Sequence, residues 1–152
     1  MSWYKKSQAL VNPNAEQTEQ NIGNLNVNVR PIEPLVIESV RELQSVNPGI
    51  LDNVTDINID LGYGQFGSVT NISPNTINLN MNRIKEEAAK ETGRPITVSD
   101  PEDAKILKHF IKQTIVHELG HLGDLDPETG QFPGGESVAE RAQQQFVESN
   151  PI

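Results

Sequence analysis

Alternating apolar and polar residues mark two short segments of this chain as strands. Between residues 56 and 61, isoleucine or leucine alternates with aspartate or asparagine, and from Thr76 to Asn82 every second residue is isoleucine, leucine or methionine. Successive side chains of a strand point to opposite faces, so the pattern predicts strands with one buried face. The same alternation predicts a short strand at 25–29, and a weaker pattern predicts another at 66–72.

Four other segments have the signals of helices, at 34–46, 83–92, 101–122 and 135–148. The third is the longest and has the clearest start, in the sequence Ser99-Asp100-Pro101-Glu102-Asp103: a capping side chain, proline in the first turn, and acids where the helix dipole favours them. Together these elements predict an α+β fold in which a small mixed sheet of about four strands packs on the long helix. A C-terminal helix follows.

Composition places these elements in one domain. At 152 residues the chain has the length of a single domain, so 24–152 is predicted as that domain and the polar, aperiodic residues 1–23 as a flexible tail. A net charge of −9 offers no basic face for nucleic acid, and no segment resembles a membrane span or a signal peptide. We therefore expect a soluble, cytoplasmic protein. The absence of cysteine excludes thiolate ligands and thiol nucleophiles.

The candidate chemistry lies in the long helix, in the sequence His117-Glu118-Leu119-Gly120-His121. Residues four apart lie one turn above each other on a helix, so both imidazoles can bind one metal ion. Glu118 lies about 100° around the helix from His117, which places it beside such an ion rather than on it. That position suits a general base for a water molecule whose pKa the metal lowers.

A catalytic zinc ion needs a third protein ligand. The metzincin position for a third histidine, six residues after His121, is Pro127 in this chain. Glu136 and Glu140, one turn apart on the last helix, are the alternatives. Glu136 is favoured because Glu140 is then available one turn on to orient a ligand histidine. His109, the remaining histidine, lies on the lysine-bearing side of the long helix and is predicted to face solvent.

The segments HELGHLGD at 117–124 and ESVAE at 136–140 resemble the gluzincin zincins, specifically the anthrax lethal factor-like metallopeptidases and the minimal gluzincins. The pattern of that family is HExxHxxD followed by ExxAE. The resemblance implies a zincin-like fold with one Zn²⁺ per chain on His117, His121 and Glu136. It further implies that Glu118 is the catalytic base and that Glu140 is an outer partner of the ligands.

The resemblance also bears on the substrate and on the oxyanion. It implies that a peptide binds along the strand from Thr76 to Asn82, as an edge strand. Asp124 matches the acid after the second histidine, although hydrogen bonding at the helix end is an alternative role. Gluzincins generally add a His or Tyr that stabilises the oxyanion, and the chain has neither after Asp124. Tyr63, in a Gly-rich turn, is the best substitute, and Arg141 is a weaker one.

The sequence therefore predicts a zinc metalloendopeptidase that hydrolyses peptide bonds with a Glu-activated, metal-bound water. The alternative is a non-catalytic module that binds zinc or peptides on the same scaffold. In a third hypothesis, the N-terminal tail or the C-terminal segment lies in the cleft and restrains the enzyme.

Overall fold

The computed structural model describes residues 9–11, 21–22, 25–26, 34–60, 67–68, 75–126 and 128–150. Its helices are α1 (Pro34–Val46), α2 (Met81–Thr92), α3 (Pro101–Gly123) and α4 (Gly135–Ser149). Its strands are β1 (Ala9–Val11), β2 (Asn21–Ile22), β3 (Leu25–Asn26), β4 (Asp56–Asp60), β5 (Gly67–Ser68) and β6 (Thr76–Asn80). The predicted mixture of helix and strand is thus confirmed.

The main sheet is mixed, with the strand order β1-β4-β6-β5. Its extended part is the parallel pair β4–β6, in which Ile57 lies opposite Ile77. The flanking strands are short: β1 has three residues and β5 has two. Both run antiparallel to their neighbours. The predicted sheet of about four strands is therefore extended only in its central pair.

Strand β6 is not the edge strand that the sequence predicted between Thr76 and Asn82. It pairs with β4 on one side and with β5 on the other, through Leu79 and Asn78. It also ends at Asn80, whose side chain caps helix α2 by accepting a hydrogen bond from the backbone N–H of Arg83 at 3.1 Å. An edge position cannot be read from one strand's periodicity, because it depends on which other segment pairs with that strand.

The apolar face of the sheet and three helices enclose one aliphatic core. The alternation in β4 and β6 is confirmed by burial, since Ile57, Ile77 and Leu79 are fully buried. Each such side chain contributes about 1.5–3 kcal/mol relative to an exposed one. The remaining core side chains come mainly from the helices and include Val36, Val40, Leu43, Met81, Ile84, Leu107, Ile111 and Ile115.

Part of the predicted N-terminal tail pairs with the domain. Strand β1 lies antiparallel to β4, and β2 forms a separate two-stranded ladder with β3. These two segments of the predicted tail thus form strand pairs, which the sequence analysis did not expect. The backbone of β4 supplies the hydrogen-bonding partners of β1, so the pairing needs no periodic side-chain pattern. The rest of 1–24, and most of the predicted strands at 25–29 and 66–72, lie outside the described residues.

Helix α3 is covered on more than one side, which corrects the prediction for His109. Lys108 and Lys112 bind Glu42 of α1, at 2.5 and 2.7 Å. Helix α4 packs along another side, where the ring of Phe146 lies 5.9 Å from that of His109. His109 is buried rather than exposed, with 7% of its surface accessible. This burial, together with the charge of Lys112, lowers the pKa of its imidazole. Periodicity within α3 alone does not show that α4 folds back over it.

None of the described helices is both long and apolar enough to cross a membrane.

Candidate metal centre

The two motif histidines and one glutamate converge on a single point. His117 and His121 lie one turn apart on α3, with ring centroids 5.1 Å apart. The Nε2 atom of His117 is 2.9 Å from Oε1 of Glu136, and that of His121 is 3.1 Å from Oε2 of the same carboxylate. One nitrogen or oxygen atom from each of the three residues lies within 4.8 Å of the others. This group could hold a metal ion, and it contains the third ligand favoured from the sequence.

The second glutamate of the ESVAE segment lies elsewhere. Glu140 is exposed and is not part of the group formed by His117, His121 and Glu136. The outer hydrogen bond expected from Glu140 comes instead from Gln143, whose Oε1 atom is 2.8 Å from Nδ1 of His117. The predicted role of Glu140 as an outer partner therefore finds no support in the structure.

A close approach of α4 to α3 brings Glu136 to the histidines. Gly120 lies between the two histidines in sequence, and a Cβ atom there would lie 2.8 Å from Cα of Ala139 and 3.1 Å from Cβ of Ala142. Ala139 is fully buried at this crossing. Because real Cβ atoms do not come so near to backbone atoms, only glycine permits this helix separation. Gly120 is thus part of the site, although it binds nothing.

Asp124 fixes the connection between the two helices. It is the cap residue of α3, and its Oδ2 atom accepts a hydrogen bond of 2.7 Å from the N–H of Gly134, just before α4. This bond spans the linker that carries Phe132, whose ring packs edge-on against His121 at 5.9 Å. The helix-end alternative for Asp124 thus matches its contact, and the contact holds the start of α4, where Glu136 lies, near the histidines.

The intervening acid of the motif is buried beside this group. Glu118 has 4% of its surface exposed. Burial raises the pKa of its carboxyl to about 7, with a lowering contribution from His117 and a further raising one from Glu136. A carboxyl with this pKa can accept and return a proton near neutral pH.

Both ring nitrogens of His117 face oxygen atoms. Its Nδ1 faces Oε1 of Gln143, and its Nε2 faces a carboxylate oxygen of Glu136. In this orientation the amide nitrogen of Gln143 donates to Oε1 of Gln113 at 3.0 Å. A neutral imidazole has only one N–H and cannot satisfy two acceptors. A metal ion at Nε2 would remove this conflict, and so would a Gln143 amide turned over to donate to Nδ1.

Of the two oxyanion candidates, only Arg141 lies within the described residues. Tyr63 lies outside the described residues, so its predicted role stays a prediction. Arg141 is exposed on α4. The sequence interpretation missed Gly120, Gln113 and Gln143. A glycine inside a helix costs about 1 kcal/mol relative to alanine, so Gly120 carried a signal of close packing. The two glutamines carried none, since their pairing depends on how the helices dock.

No family model, no curated protein and no solved structure matches this chain.

Proposed function

We propose that this protein is a zinc-dependent metallopeptidase of the gluzincin type, with His117, His121 and Glu136 as metal ligands. The observation that carries the proposal is the convergence of both Nε2 atoms on the carboxylate of Glu136, beside a buried glutamate. The chemistry of the donors supports zinc, because two imidazoles and one carboxylate are a usual ligand set for catalytic zinc. The resemblance of 117–124 and 136–140 to the gluzincin pattern supports a zincin-like packing of the sheet on α3.

The residues around the metal site have separate roles in this proposal. Zinc, when bound, would polarise the scissile carbonyl and lower the pKa of water. Glu118, buried beside the group, would accept the proton of the attacking water and pass it to the leaving amine. Gly120 and Asp124 keep α4 close enough for Glu136 to bind the metal.

The substrate in this proposal is an extended peptide. Main-chain pairing with a sheet requires a strand with a free side, and β6 has neighbours on both sides. Strand β5 stands at the end of the described sheet and contacts α3, the helix that carries both histidines. We therefore assign the pairing to β5 rather than to the strand from Thr76 to Asn82.

Cleavage of an unstructured protein tests this function. Purified wild type with one equivalent of Zn²⁺ is compared with Glu118→Gln and with Glu140→Gln, which removes the same charge at an exposed position. We expect Glu118→Gln to lower the cleavage rate by about 10²–10⁴-fold, because it removes the general base. Glu140→Gln should cleave like wild type. Equal cleavage by wild type and Glu118→Gln would contradict the proposed role of Glu118.

A second function, a zinc module without catalysis, is favoured by one observation. No His or Tyr follows Asp124 in the sequence, and Arg141 is exposed, so the described residues offer no evident donor for an oxyanion. In that case wild type would bind one zinc ion per chain and cleave no peptide. Structural zinc sites are usually closed by four protein ligands, so a fourth protein ligand in a zinc-loaded structure would favour this function.

A further inference from the structure

A chain of two glutamine amides leads away from His117 between helices α3 and α4. Nδ1 of His117 is 2.8 Å from Oε1 of Gln143, and the amide nitrogen of Gln143 is 3.0 Å from Oε1 of Gln113. All three side chains are partly buried. Metal-binding histidines commonly have an acceptor at this ring position, usually a carboxylate or a backbone carbonyl. Here the acceptor is the oxygen of an amide. Unlike a carboxylate or a carbonyl, an amide group also has N–H donors.

An amide can either accept or donate at the same place. In the orientation of the structure, Nδ1–H of His117 donates to Gln143, and Gln143 donates to Gln113. This leaves the lone pair of Nε2 free for a metal ion. If both amides turn over, Gln113 donates to Gln143 and Gln143 donates to Nδ1, so the chain of hydrogen bonds keeps its length and reverses its direction. The proton of a neutral His117 is then on Nε2.

One direction of this hydrogen-bond chain suits the metal-free site, and the other suits the metal-bound site. Without metal, Nε2 of His117 faces a carboxylate oxygen of Glu136 at 2.9 Å, and a proton on Nε2 makes this contact a hydrogen bond. With metal, Nε2 must be free of its proton and Nδ1 must carry it. A carboxylate at position 143 could serve only the second state, because an ionised carboxylate has no donor.

We propose that Gln143 and Gln113 form a reversible amide relay that sets which ring nitrogen of His117 carries the proton. This inference rests on the proposed function, since it assigns the relay to the metal-binding histidine. Gln143 is a positioning residue that acts on the metal through His117. The relay lets the metal-free site satisfy its hydrogen bonds, and it reverses when Nε2 becomes a ligand.

Zinc affinity of three variants tests the relay. Gln143→Leu removes both donor and acceptor, Gln143→Glu keeps only the acceptor, and Gln145→Glu adds the same charge at an exposed position of α4. Zn²⁺ is titrated in competition with a chromophoric chelator. We expect Gln143→Leu to bind zinc at least about tenfold more weakly, as for lost outer partners of other metal ligands. Gln143→Glu should bind at least as tightly as wild type, and Gln145→Glu should match wild type. Wild-type affinity in Gln143→Leu would overturn the proposal.

Ring ¹⁵N chemical shifts of His117 supply a readout that a merely structural role would not move. In the metal-free wild type, we expect the neutral imidazole of His117 to carry its proton on Nε2. After zinc is added, we expect the proton on Nδ1. A proton on Nδ1 in the metal-free protein would overturn the reversal. If wild type bound no zinc, the proposed function would fail, and the metal-free spectrum would still decide the direction of the relay.

Discussion

At the scale of single residues, burial gives the motif glutamate its properties. Glu118 lies among packed side chains with 4% of its surface exposed, and burial raises the pKa of its carboxyl to about 7. The unfolded chain would release this proton near the ordinary value of 4.5. The folded metal-free protein therefore holds one more proton than the unfolded chain between these two values. Its free energy of unfolding must fall as pH rises through that interval.

Glu118→Gln should remove this pH dependence from the metal-free protein. The interval from 4.5 to about 7 corresponds to about 3 kcal/mol, so the variant should be more stable than wild type at pH 8 and similar to it at pH 4.5. Urea denaturation at a series of pH values measures the difference. The lowered pKa of His109 acts in the opposite direction but is common to both proteins, so it cancels. If the free energies of unfolding of wild type and variant differed by the same amount at pH 4.5 and at pH 8, the raised pKa would not belong to Glu118.

Local signals predicted the grouping of His117, His121 and Glu136 but not the burial of His109. The spacing of His117 and His121 within one helix fixes their common face, so their convergence could be read from the sequence. Glu136 was favoured over Glu140 because Glu140 is then available to orient a histidine, and the resemblance implied the same choice. His109 obeys the same helical geometry, yet its exposure depends on Phe146, which is distant in sequence and reaches it only when α4 packs on α3.

At the scale of elements, the site depends on how near α4 comes to α3. The helix bounds were predictable because their signals are local: Asp100 caps α3 through a bond to Glu102 N–H, and Gly93 ends α2 with a positive φ of 74°. The crossing of the helices was not predictable, because it depends on the missing side chain of Gly120 and on the bond from Gly134 to Asp124. The order of the strands could not be predicted from the sequence either, because it depends on the pairing of the two residues of β5 with β6.

Gly120→Ala should separate the helices and weaken metal binding. The new Cβ atom would lie 2.8 Å from the backbone of Ala139, so α4 must move and carry Glu136 away from the histidines. We expect zinc affinity to fall at least about tenfold, the range seen when support of a metal ligand is lost. Gly123→Ala is the matched control, because a Cβ atom at that position meets nothing within 4 Å. Equal zinc affinity of both variants would show that the close crossing is not needed.

At the scale of the whole molecule, the candidate metal ligands come from two successive helices, α3 and α4. Helix α3 carries His117 and His121 and also packs against the sheet, α1 and α2. Helix α4 follows the linker and contributes Ala139 and Phe146 to the packing on α3. A metal bound by both helices therefore binds only the folded arrangement, and its binding free energy adds to the stability of the domain.

Zinc should therefore raise the midpoint of thermal unfolding. At a free concentration about 100 times the dissociation constant, the added stability is about 2.7 kcal/mol. For a domain of this length, that corresponds to roughly 5–10 °C. His117→Ala should lose most of this shift, and a chelator should reverse it in wild type. Calorimetry with and without Zn²⁺ measures both effects. A shift of the same size in His117→Ala would place the metal elsewhere.

The most direct test of the metal centre is the zinc content and affinity of wild type beside Glu136→Gln and Glu140→Gln. The two substitutions remove the same charge one turn apart on the same helix, but only Glu136 contacts both histidines. Wild type and Glu140→Gln should each bind one zinc ion per chain with equal affinity, and Glu136→Gln should bind at least about tenfold more weakly. Loss of zinc in Glu140→Gln with retention in Glu136→Gln, or no zinc in wild type, would contradict the proposed site.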